Sequence, residues 1–347
     1  MSDLYERAPE RGPGLRLHLN ENTAGCPPAA LDAMRAITAA QASAYPDYGE
    51  TYRACADWLG VGEDELLITN GLDEGIYTAT VAWLQRRPDG TPADAVVVEP
   101  AYALFAASAE VVGARVVHVG PRPDFGLPLE ETLAAITPAT RVVFLASPAN
   151  PSGHLAPREA VEAIARQLPP GAVLFLDQAY VEFAGASFLA DLPACPNVVL
   201  GRTFAKAFGL AAVRAGYVVA ASPLIAQLRR VILPFSVNVF ALAAIRAAIR
   251  DEAYVRWYVD QVAESRRAIY AMCDRLGFDY WPSEANFVLV RVGARAPELV
   301  EALAAGGIFV RDRSSMAGCE GCIRITAGLV AHANACVAAM EELCGRA

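Results

Sequence analysis

The sequence predicts an α/β protein with two domains: a large one with a mostly parallel sheet flanked by helices, and a smaller α+β one. Two observations favour this fold. Short β-branched runs alternate with longer helical stretches from about residue 62, and after Pro234 the pattern changes to long helical stretches with a few short strands. The length of 347 residues also suits two domains, since one domain typically takes about 100 to 200 residues. We expect the large domain at 26–235 and the small one at 1–25 and 236–347.

Apolar runs mark the strands of the large domain, and segments with helical spacing lie between them. The strands are expected at 95–99, 115–119, 141–146, 172–177, 197–202 and 216–220. The helices are expected at 75–85, 101–112, 128–135 and 157–167. Strands that alternate with helices in this way are typical of a parallel sheet covered on both faces.

The small domain is expected to begin with one long helix over 239–276, which keeps apolar residues at helical spacing. Strands at 286–291, 307–311 and 322–326, a helix at 296–305 and a final helix follow it. This mixture indicates an α+β unit that is shared with the N-terminal segment.

The composition indicates a globular protein and argues against several classes of function. Apolar residues make up 54% of the chain and charged residues 19%, which supplies enough material for a buried core. The net charge of −9 comes without a basic block, so the electrostatic basis for binding nucleic acid is missing. No apolar run reaches the roughly 18 residues of a membrane span, and the charged N-terminus differs from a signal peptide. We therefore expect a cytoplasmic protein that acts on small molecules.

The eight cysteines are expected to be reduced thiols, because a chain of this length without an export signal seldom carries a disulfide framework. Only Cys319 and Cys322 form a C-x-x-C pair. A zinc site would need a second cysteine pair or a histidine pair at ligand spacing, and the neighbouring sequence supplies neither. No metal site is expected.

Lys206 is the only lysine among the 29 lysine and arginine residues. A drift that replaced lysine with arginine wherever a positive charge was sufficient would produce this composition. Arginine cannot form an imine, because its guanidinium stays protonated at working pH. The remaining lysine therefore indicates a task that needs a primary amine, although survival by chance at the surface explains the count equally well.

Polar residues come directly after four of the expected strands. In chain order they are Tyr102, Asn150, Asp177, Tyr180 and Lys206. Ligands of open parallel sheets bind beyond the carboxyl ends of the strands. These side chains are therefore predicted to meet at one edge of the sheet.

This set of side chains matches the requirements of pyridoxal 5'-phosphate (PLP). PLP needs an amine for its aldehyde, a carboxylate that keeps its pyridine nitrogen protonated, and donors for its phenolic oxygen. Lys206 would hold it as a Schiff base, and Asp177 would favour the charged ring that draws electrons from the substrate α-carbon. Tyr180 and Asn150 could donate to the phenolic oxygen, and Tyr102 could stack on the ring.

The phosphate of PLP has a candidate site at the start of a helix. Residues 70–75 (NGLDEG) open this helix, and its free N–H groups and positive dipole end can receive an anion. The candidate residues are Leu72, Asp73 and Glu74, and Arg214 could add a charge-assisted contact.

Taken singly, each of these residues has an ordinary structural explanation. A strand-end aspartate such as Asp177 more often caps a helix or pairs with an arginine, Asn150 suits a turn, and Tyr102 suits a core. Arg214 alone would be a surface charge. Their joint placement at successive strand ends favours the cofactor site.

Blocks along nearly the whole chain resemble the fold-type I PLP aminotransferases, and among these the histidinol-phosphate aminotransferase family. They are LHLNEN at 17–22, YPD at 45–47, NGLDEGI at 70–76, PAY at 100–102, SPANPSG at 147–153, DQAYVEF at 177–183, RTFAKAFGLAAVRAGY at 202–217, ANFVLV at 285–290, GIFVRDR at 307–313 and RITAG at 324–328. The block that contains Lys206 is highly specific, whereas the short blocks would be weak alone.

The resemblance implies that Lys206 both holds PLP and moves a proton between the substrate α-carbon and the cofactor. Arg324 of the RITAG block is implied to bind the acidic end of the substrate, with Arg311 as helper and Asn22 of the LNEN block as a further substrate-binding residue. Tyr45 matches a tyrosine that reaches the cofactor phosphate from the partner subunit, which implies a homodimer with shared active sites. The implied reaction is a ping-pong exchange in histidine biosynthesis between histidinol phosphate and 2-oxoglutarate.

Three departures from the family pattern bear on the site. Ala205 stands where the family usually has a serine that donates to the cofactor phosphate, so a hydrogen bond of about 1 kcal/mol is lost, and Thr203 or a water could compensate. Gln178 replaces a glutamate, but it should point to the sheet face opposite Asp177. Residues 23–25 (Thr-Ala-Gly) replace a tyrosine that helps bind the substrate's phosphate, which weakens the substrate assignment and leaves the reaction type unaffected.

Other functions remain open at this point. Within the class, the substrate could be an aromatic or other amino acid. A PLP-dependent lyase or decarboxylase would use the same electron sink to break a different bond at the α-carbon, and a protein that binds PLP without catalysis is conceivable given Ala205. A dinucleotide oxidoreductase is disfavoured, because no G-x-G-x-x-G turn follows the first strand.

Overall fold

The computed structural model describes residues 12–87 and 89–345. Residues 1–11 and 346–347 of the expected small domain lie outside this range. The strands, numbered along the chain, are β1 (Leu15–Arg16), β2 (Leu66–Thr69), β3 (Asp94–Val98), β4 (Arg115–Val119), β5 (Thr140–Ala146), β6 (Val173–Asp177), β7 (Val198–Thr203), β8 (Gly216–Ala220), β9 (Asp279–Tyr280), β10 (Phe287–Arg291), β11 (Ile308–Phe309), β12 (Arg311–Asp312) and β13 (Cys322–Thr326).

The helices surround these strands. They are α1 (Pro28–Arg35), α2 (Ala39–Ala42), α3 (Gly49–Leu59), α4 (Leu72–Trp83), α5 (Leu104–Val111), α6 (Leu129–Ala135), α7 (Arg158–Gln167), α8 (Val181–Ala184), α9 (Ser222–Arg229), α10 (Val239–Ala248), α11 (Glu252–Leu276), α12 (Ala296–Ala305) and α13 (Val330–Cys344). Short 3-10 turns lie at Glu63–Glu65, Leu189–Ala194 and Gly293–Arg295.

The large sheet has seven strands in the order β2-β8-β7-β6-β5-β3-β4. The pairs from β7 through β6, β5 and β3 to β4 are parallel, and β8 runs antiparallel to both of its neighbours. Every residue of β3 and β6 is buried, as expected for a sheet covered by helices on both faces. The α/β class, the mostly parallel sheet and all six expected strands are confirmed, with ends that differ by at most one residue.

The order of the parallel strands positions the site. The carboxyl ends of β7, β6, β5 and β3 lie side by side at one edge, and the polar residues singled out in the sequence follow those four ends. At that edge Asp177, the last residue of β6, pairs in register with Gly201 of β7 and Ala146 of β5.

A second sheet of four antiparallel strands has the order β12-β13-β10-β9. Arg324, in the middle of β13, lies opposite Leu289 of β10 on one side and Arg311 of β12 on the other. β1 pairs in parallel with β11, so the N-terminal segment joins the C-terminal part of the chain. The domain limits at residues 25 and 235 stay a prediction.

The single helix expected over 239–276 is wrong. α10 ends at Ala248 and α11 begins at Glu252, because Asp251 leaves the helical conformation (ψ 58°) and its side chain accepts the N–H of Tyr254 at 3.2 Å. An aspartate that caps a new helix in this way ends the preceding one. The apolar spacing continues across the break, which is why periodicity alone missed it.

Among the described helices, none is both long and apolar enough to cross a membrane. In the same part of the chain, no group of three or more histidine, cysteine or acidic side chains is placed to hold a metal ion. The eight cysteines are free thiols.

Candidate active site

Lys206 lies three residues beyond β7, on a loop that backbone contacts hold in place. The N–H of Leu210 donates to the carbonyl of Phe204 at 2.9 Å, and the side-chain amide of Asn22 donates to the carbonyl of Ala207 at 2.9 Å. The Lys206 Nζ donates to the carbonyl of Leu19 at 3.2 Å. Asn22, a predicted substrate-binding residue, thus fixes the loop that carries the lysine.

Asp177 is a buried carboxylate at the end of β6. Its Oδ1 accepts the N–H of Ala179 at 2.8 Å. Burial raises the pKa of Asp177 from 3.8 to about 7; the Ala179 N–H lowers it, nearby Asp73 raises it and Lys206 lowers it. Lys206 is therefore close enough to influence the charge of Asp177, but no ion pair on this carboxylate is found among the described residues.

Tyr180 lies beside the lysine. The Lys206 Nζ is 5.8 Å from the centroid of the Tyr180 ring, and the edge of Phe287 packs against that ring at a centroid distance of 5.0 Å. The Asn20 side-chain amide donates to the Tyr180 hydroxyl at 3.1 Å. Because this hydroxyl accepts from Asn20, its own hydrogen can be donated elsewhere.

Asn20 is a site residue that the sequence analysis missed. It belongs to the same LNEN block as Asn22, and the motif alone does not indicate which asparagine reaches the tyrosine. Asn20 adopts a positive φ of 55°, and its backbone N–H donates to the Thr326 hydroxyl at 3.1 Å. Its position is thus set by a contact between segments that lie far apart in the sequence.

The start of α4 forms a potential anion site. Gly71 caps this helix with φ 76° and without a side-chain hydrogen bond, which leaves the first-turn N–H groups, including that of Leu72, for another acceptor. Arg214 Nη2 donates to Asp73 Oδ2 at 2.8 Å, and the Tyr102 hydroxyl donates to Asp73 Oδ1 at 3.1 Å. A Cβ on Gly71 would lie 2.6 Å from Arg214 Nη2, so glycine lets the arginine reach the helix start.

Glu74 and Thr203 are occupied by contacts within the chain. The Glu74 carboxylate accepts the N–H of Asn70 at 2.6 Å and the hydroxyl of Ser236 at 2.9 Å, so it closes the turn before α4. The Thr203 hydroxyl accepts the N–H of Ala205 at 3.1 Å and points towards the carbonyl of Ala215 at 3.5 Å. In this arrangement Thr203 does not replace the hydroxyl that is missing at Ala205.

Arg324 connects the two sheets. Its Nη1 donates to Asn150 Oδ1 at 2.6 Å and its Nη2 donates to the carbonyl of His18 at 2.7 Å, while its guanidinium lies 5.3 Å from the centroid of the Phe287 ring. The side chain is 3% exposed. Asn150 is thus held by Arg324, and both lie near the residues around Tyr180.

Two further arginines accompany Arg324. Burial lowers the pKa of Arg324 well below its ordinary value, Arg313 lowers it further, Tyr180 raises it and Arg311 lowers it. Burial also lowers the pKa of Arg313 to about 10, again with Arg311 acting in the same direction. Arg311 was predicted, but Arg313 was missed, because only the pairing of β12 with β13 brings it to Arg324.

Gln178 leaves the carboxylate of Asp177 undisturbed, as predicted. The Gln178 Oε1 accepts from Arg202 at 2.9 Å and from the N–H of Phe188 at 3.4 Å, whereas Asp177 bonds to Ala179. The two neighbouring side chains therefore have separate partners.

Among the candidate residues, Tyr45 alone is exposed at the surface. Its side chain is 82% exposed, and its ring stacks on Phe235 at a centroid distance of 4.6 Å. Phe235 and Leu233 beside it are also exposed, at 52% and 72%. In the described part of the chain, no contact joins Tyr45 to Lys206 or Arg214.

Comparison with known proteins gives a consistent result. The family model for aminotransferase class I and II matches residues 13–339. The chain is 38% identical over 343 residues to histidinol-phosphate aminotransferase 2 of Ralstonia nicotianae, covering 96% of this chain and 89% of that protein. It is 33% identical over 338 residues to histidinol-phosphate aminotransferase of Moorella thermoacetica, covering 95% and 85%.

A solved structure adds a likeness in three dimensions. The crystal structure of histidinol-phosphate aminotransferase from Sinorhizobium meliloti in complex with pyridoxal-5'-phosphate superposes with a TM-score of 0.87 at 30% identity, covering 97% of this chain and 92% of that chain. The expected fold type is therefore confirmed.

Proposed function

We propose that this chain, which belongs to the aminotransferase class I and II family, uses PLP to transfer an amino group between histidinol phosphate and 2-oxoglutarate in histidine biosynthesis. The observation that carries the proposal is the placement of the only lysine of the chain beside Tyr180 and within electrostatic reach of the buried Asp177. The names of the similar proteins support the choice of substrate.

The residues present fit PLP. A buried carboxylate without a paired cation is costly, and the protonated pyridine nitrogen of PLP would give Asp177 that partner. The Tyr180 hydroxyl has a hydrogen to donate to the phenolic oxygen, since it accepts from Asn20. The helix start behind Gly71 would receive the phosphate together with Arg214.

When bound, PLP supplies an electron sink for the bond that breaks at the substrate α-carbon. The Lys206 Nζ is the base in this proposal: it would take the α-proton of the amino donor and pass a proton to the cofactor carbon, and in the second half of the cycle it would move a proton back to the α-carbon of the new amino acid. Its bond to the Leu19 carbonyl at 3.2 Å orients the amine. Asp177 acts through charge, because its ionised form stabilises a positive ring.

Arg324 is the proposed anchor for the acidic end of the substrate. Its side chain is buried, its Nη atoms donate to neutral acceptors, and its Nε has no hydrogen-bond partner in the described residues. A buried guanidinium without a counter-ion favours an anion. Histidinol phosphate and glutamate both carry such a group, so one arginine serves both halves of the exchange.

A homodimer with shared sites is part of the proposal. Tyr45, Leu233 and Phe235 form an exposed apolar patch, and a patch of this kind is typical of an interface. Since Tyr45 is exposed and contacts none of the other candidate residues that the structure describes in its own chain, it is available to the site of a second copy. The cytoplasmic location expected from the sequence likewise stays a prediction.

Borohydride reduction in the presence of PLP tests the cofactor assignment. Because Lys206 is the only lysine, a reduced adduct on a side-chain amine maps to one position by mass spectrometry. The wild type should carry a pyridoxyl group at Lys206, and Lys206→Arg, which keeps the charge and cannot form an imine, should carry none. An adduct confined to the N-terminal amine, or no adduct, contradicts the proposal.

A panel of amino donors tests the reaction and the substrate. Histidinol phosphate and glutamate should each convert the cofactor absorbance of the wild-type holoenzyme to that of the pyridoxamine form, and phenylalanine should do so more slowly. Faster conversion by an aromatic amino acid would contradict the assigned substrate. Release of carbon dioxide with retention of the PLP absorbance would instead indicate a decarboxylase.

A further inference from the structure

Three arginines share one face of the small sheet. Arg311 and Arg324 lie directly opposite each other across β12 and β13. Arg313 extends this pairing, because its N–H donates to the carbonyl of Cys322 at 2.9 Å. Since side chains two residues apart on a strand point to the same face, the Arg313 side chain lies beside that of Arg311 and diagonally across from that of Arg324.

A second feature of this cluster is the charge of its guanidinium groups. Among the residues that the structure describes, no acidic side chain forms an ion pair with Arg311, Arg313 or Arg324, and the Nε atoms of Arg313 and Arg324 are buried without a hydrogen-bond partner. Burial and the neighbouring Arg311 lower the pKa of Arg313 to about 10, against smaller opposing effects of Tyr180, Cys319 and Asp312. The cluster is therefore arranged for an anion with more than one negative charge.

The two substrates of the proposed reaction differ in this charge. A carboxylate carries one negative charge, and a phosphate monoester carries about 1.5 to 2 at pH 7 with three acceptor oxygens. Arg324 with Arg311 suffices for a carboxylate.

We propose that Arg313 is a specificity-determining residue that makes the acid-binding site prefer a dianionic phosphate end over a carboxylate. This inference rests on the proposed function, because it assumes that the acidic end of the substrate binds at Arg324. It assigns to Arg313 a charge-assisted contact that the phosphate receives and the carboxylate does not. Arg311 and Arg324 serve both substrates.

The test compares two small anions on the PLP-loaded enzyme, in which the cofactor already fills its own phosphate site. Methyl phosphate, which is dianionic at pH 8 because its second pKa is about 6, and acetate are titrated by calorimetry into wild type, Arg313→Met and Arg313→Lys. Arg295→Met is the matched control, since Arg295 is an exposed arginine of the same part of the chain.

Arg313→Met should weaken methyl phosphate about 10- to 100-fold, the effect of losing one hydrogen bond to a charged group, and acetate less than about threefold. Arg313→Lys should recover most of this loss, and the control should change neither anion. In steady state, Arg313→Met should raise KM for histidinol phosphate with little change in kcat, and leave KM for glutamate nearly constant.

Equal weakening of both anions, or of neither, overturns the assignment of Arg313. If Arg313→Met does not fold, Arg313→Gln provides the uncharged comparison. A wrong assignment of the proposed function would give a different result, because the wild-type holoenzyme would then transaminate neither histidinol phosphate nor glutamate. The comparison of methyl phosphate with acetate would still decide the role of Arg313.

Discussion

Replacing Asp177 with asparagine should stabilise the cofactor-free protein at neutral pH and weaken its binding of PLP. The substitution keeps the shape of the side chain and its acceptor for the Ala179 N–H, and removes the buried charge. Burial raises the pKa of Asp177 from 3.8 to about 7. The carboxyl is thus protonated in the folded apoprotein at pH values where it is ionised in the unfolded chain.

The direction in which stability changes with pH follows from this difference in pKa between the folded and the unfolded chain. A carboxyl whose pKa is raised on folding contributes stability below its unfolded pKa, and this contribution is lost as pH rises from 3.8 through about 7. The gap of about three pH units corresponds to about 4 kcal/mol, since one unit is about 1.4 kcal/mol. By pH 5 somewhat less than about 2 kcal/mol is lost, and by pH 8 about 4 kcal/mol, so the wild-type apoprotein should lose about 2 to 3 kcal/mol more than Asp177→Asn between pH 5 and pH 8.

Urea unfolding of both apoproteins from pH 5 to pH 8.5 measures this difference. Glu182, whose pKa burial also raises to about 7, acts equally in both proteins, and its effect cancels in the comparison. Asp64→Asn is the control, because Asp64 is an exposed carboxylate whose removal should leave the pH dependence unchanged. Parallel pH profiles for wild type and Asp177→Asn would refute the reasoning.

Asp177→Asn should weaken the binding of PLP, although it stabilises the protein without PLP. With the cofactor bound, the ionised Asp177 would be paired with the pyridine nitrogen, and removing one partner of a buried pair costs about 3 to 5 kcal/mol. Asp177→Asn should therefore bind PLP at least about 100-fold more weakly at pH 8 in an absorbance titration. A variant that is more stable without PLP and equally tight with it would contradict this position for the ring.

Three further predictions concern the phosphate end and the assembly. Gly71→Ala places a Cβ 2.6 Å from Arg214 Nη2 at a φ of 76°. It should therefore lower the free energy of unfolding by about 1 to 3 kcal/mol and weaken PLP binding, as measured by thermal unfolding and by PLP titration. An unchanged PLP affinity would place the phosphate elsewhere. Ala205→Ser adds a hydroxyl next to Lys206. It should tighten PLP binding about fivefold, because one hydrogen bond contributes about 1 kcal/mol. An unchanged affinity would mean that residue 205 does not face the phosphate. Mixing inactive Tyr45→Ala and Lys206→Ala subunits should regain activity, because one site of the mixed dimer keeps both residues; no recovery after subunit exchange would argue against a shared site.

The parts of the proposed site at the strand ends follow from local sequence pattern and from the rule that ligands bind beyond the carboxyl ends of parallel strands. Lys206, Asp177 and Tyr180 each come directly after a buried apolar run, and parallel strands bring such positions to one edge without further information. The strand β2 was missed because its place in the sheet does not follow from local pattern. It is a four-residue buried strand that joins the sheet through an antiparallel pairing with β8, and a short apolar run does not reveal its partner.

The acid-binding end depends on contacts that no local pattern contains. Asn20 meets Thr326 across 306 positions, and Arg324 meets Asn150 across 174. Arg313 joins them only because β12 pairs with β13 in one particular register, and a shift of one residue would turn its side chain to the other face of the sheet. The proposed cofactor end is therefore inferred from residue types at strand ends, whereas the charge that we propose selects the substrate is a property of the register between two short strands.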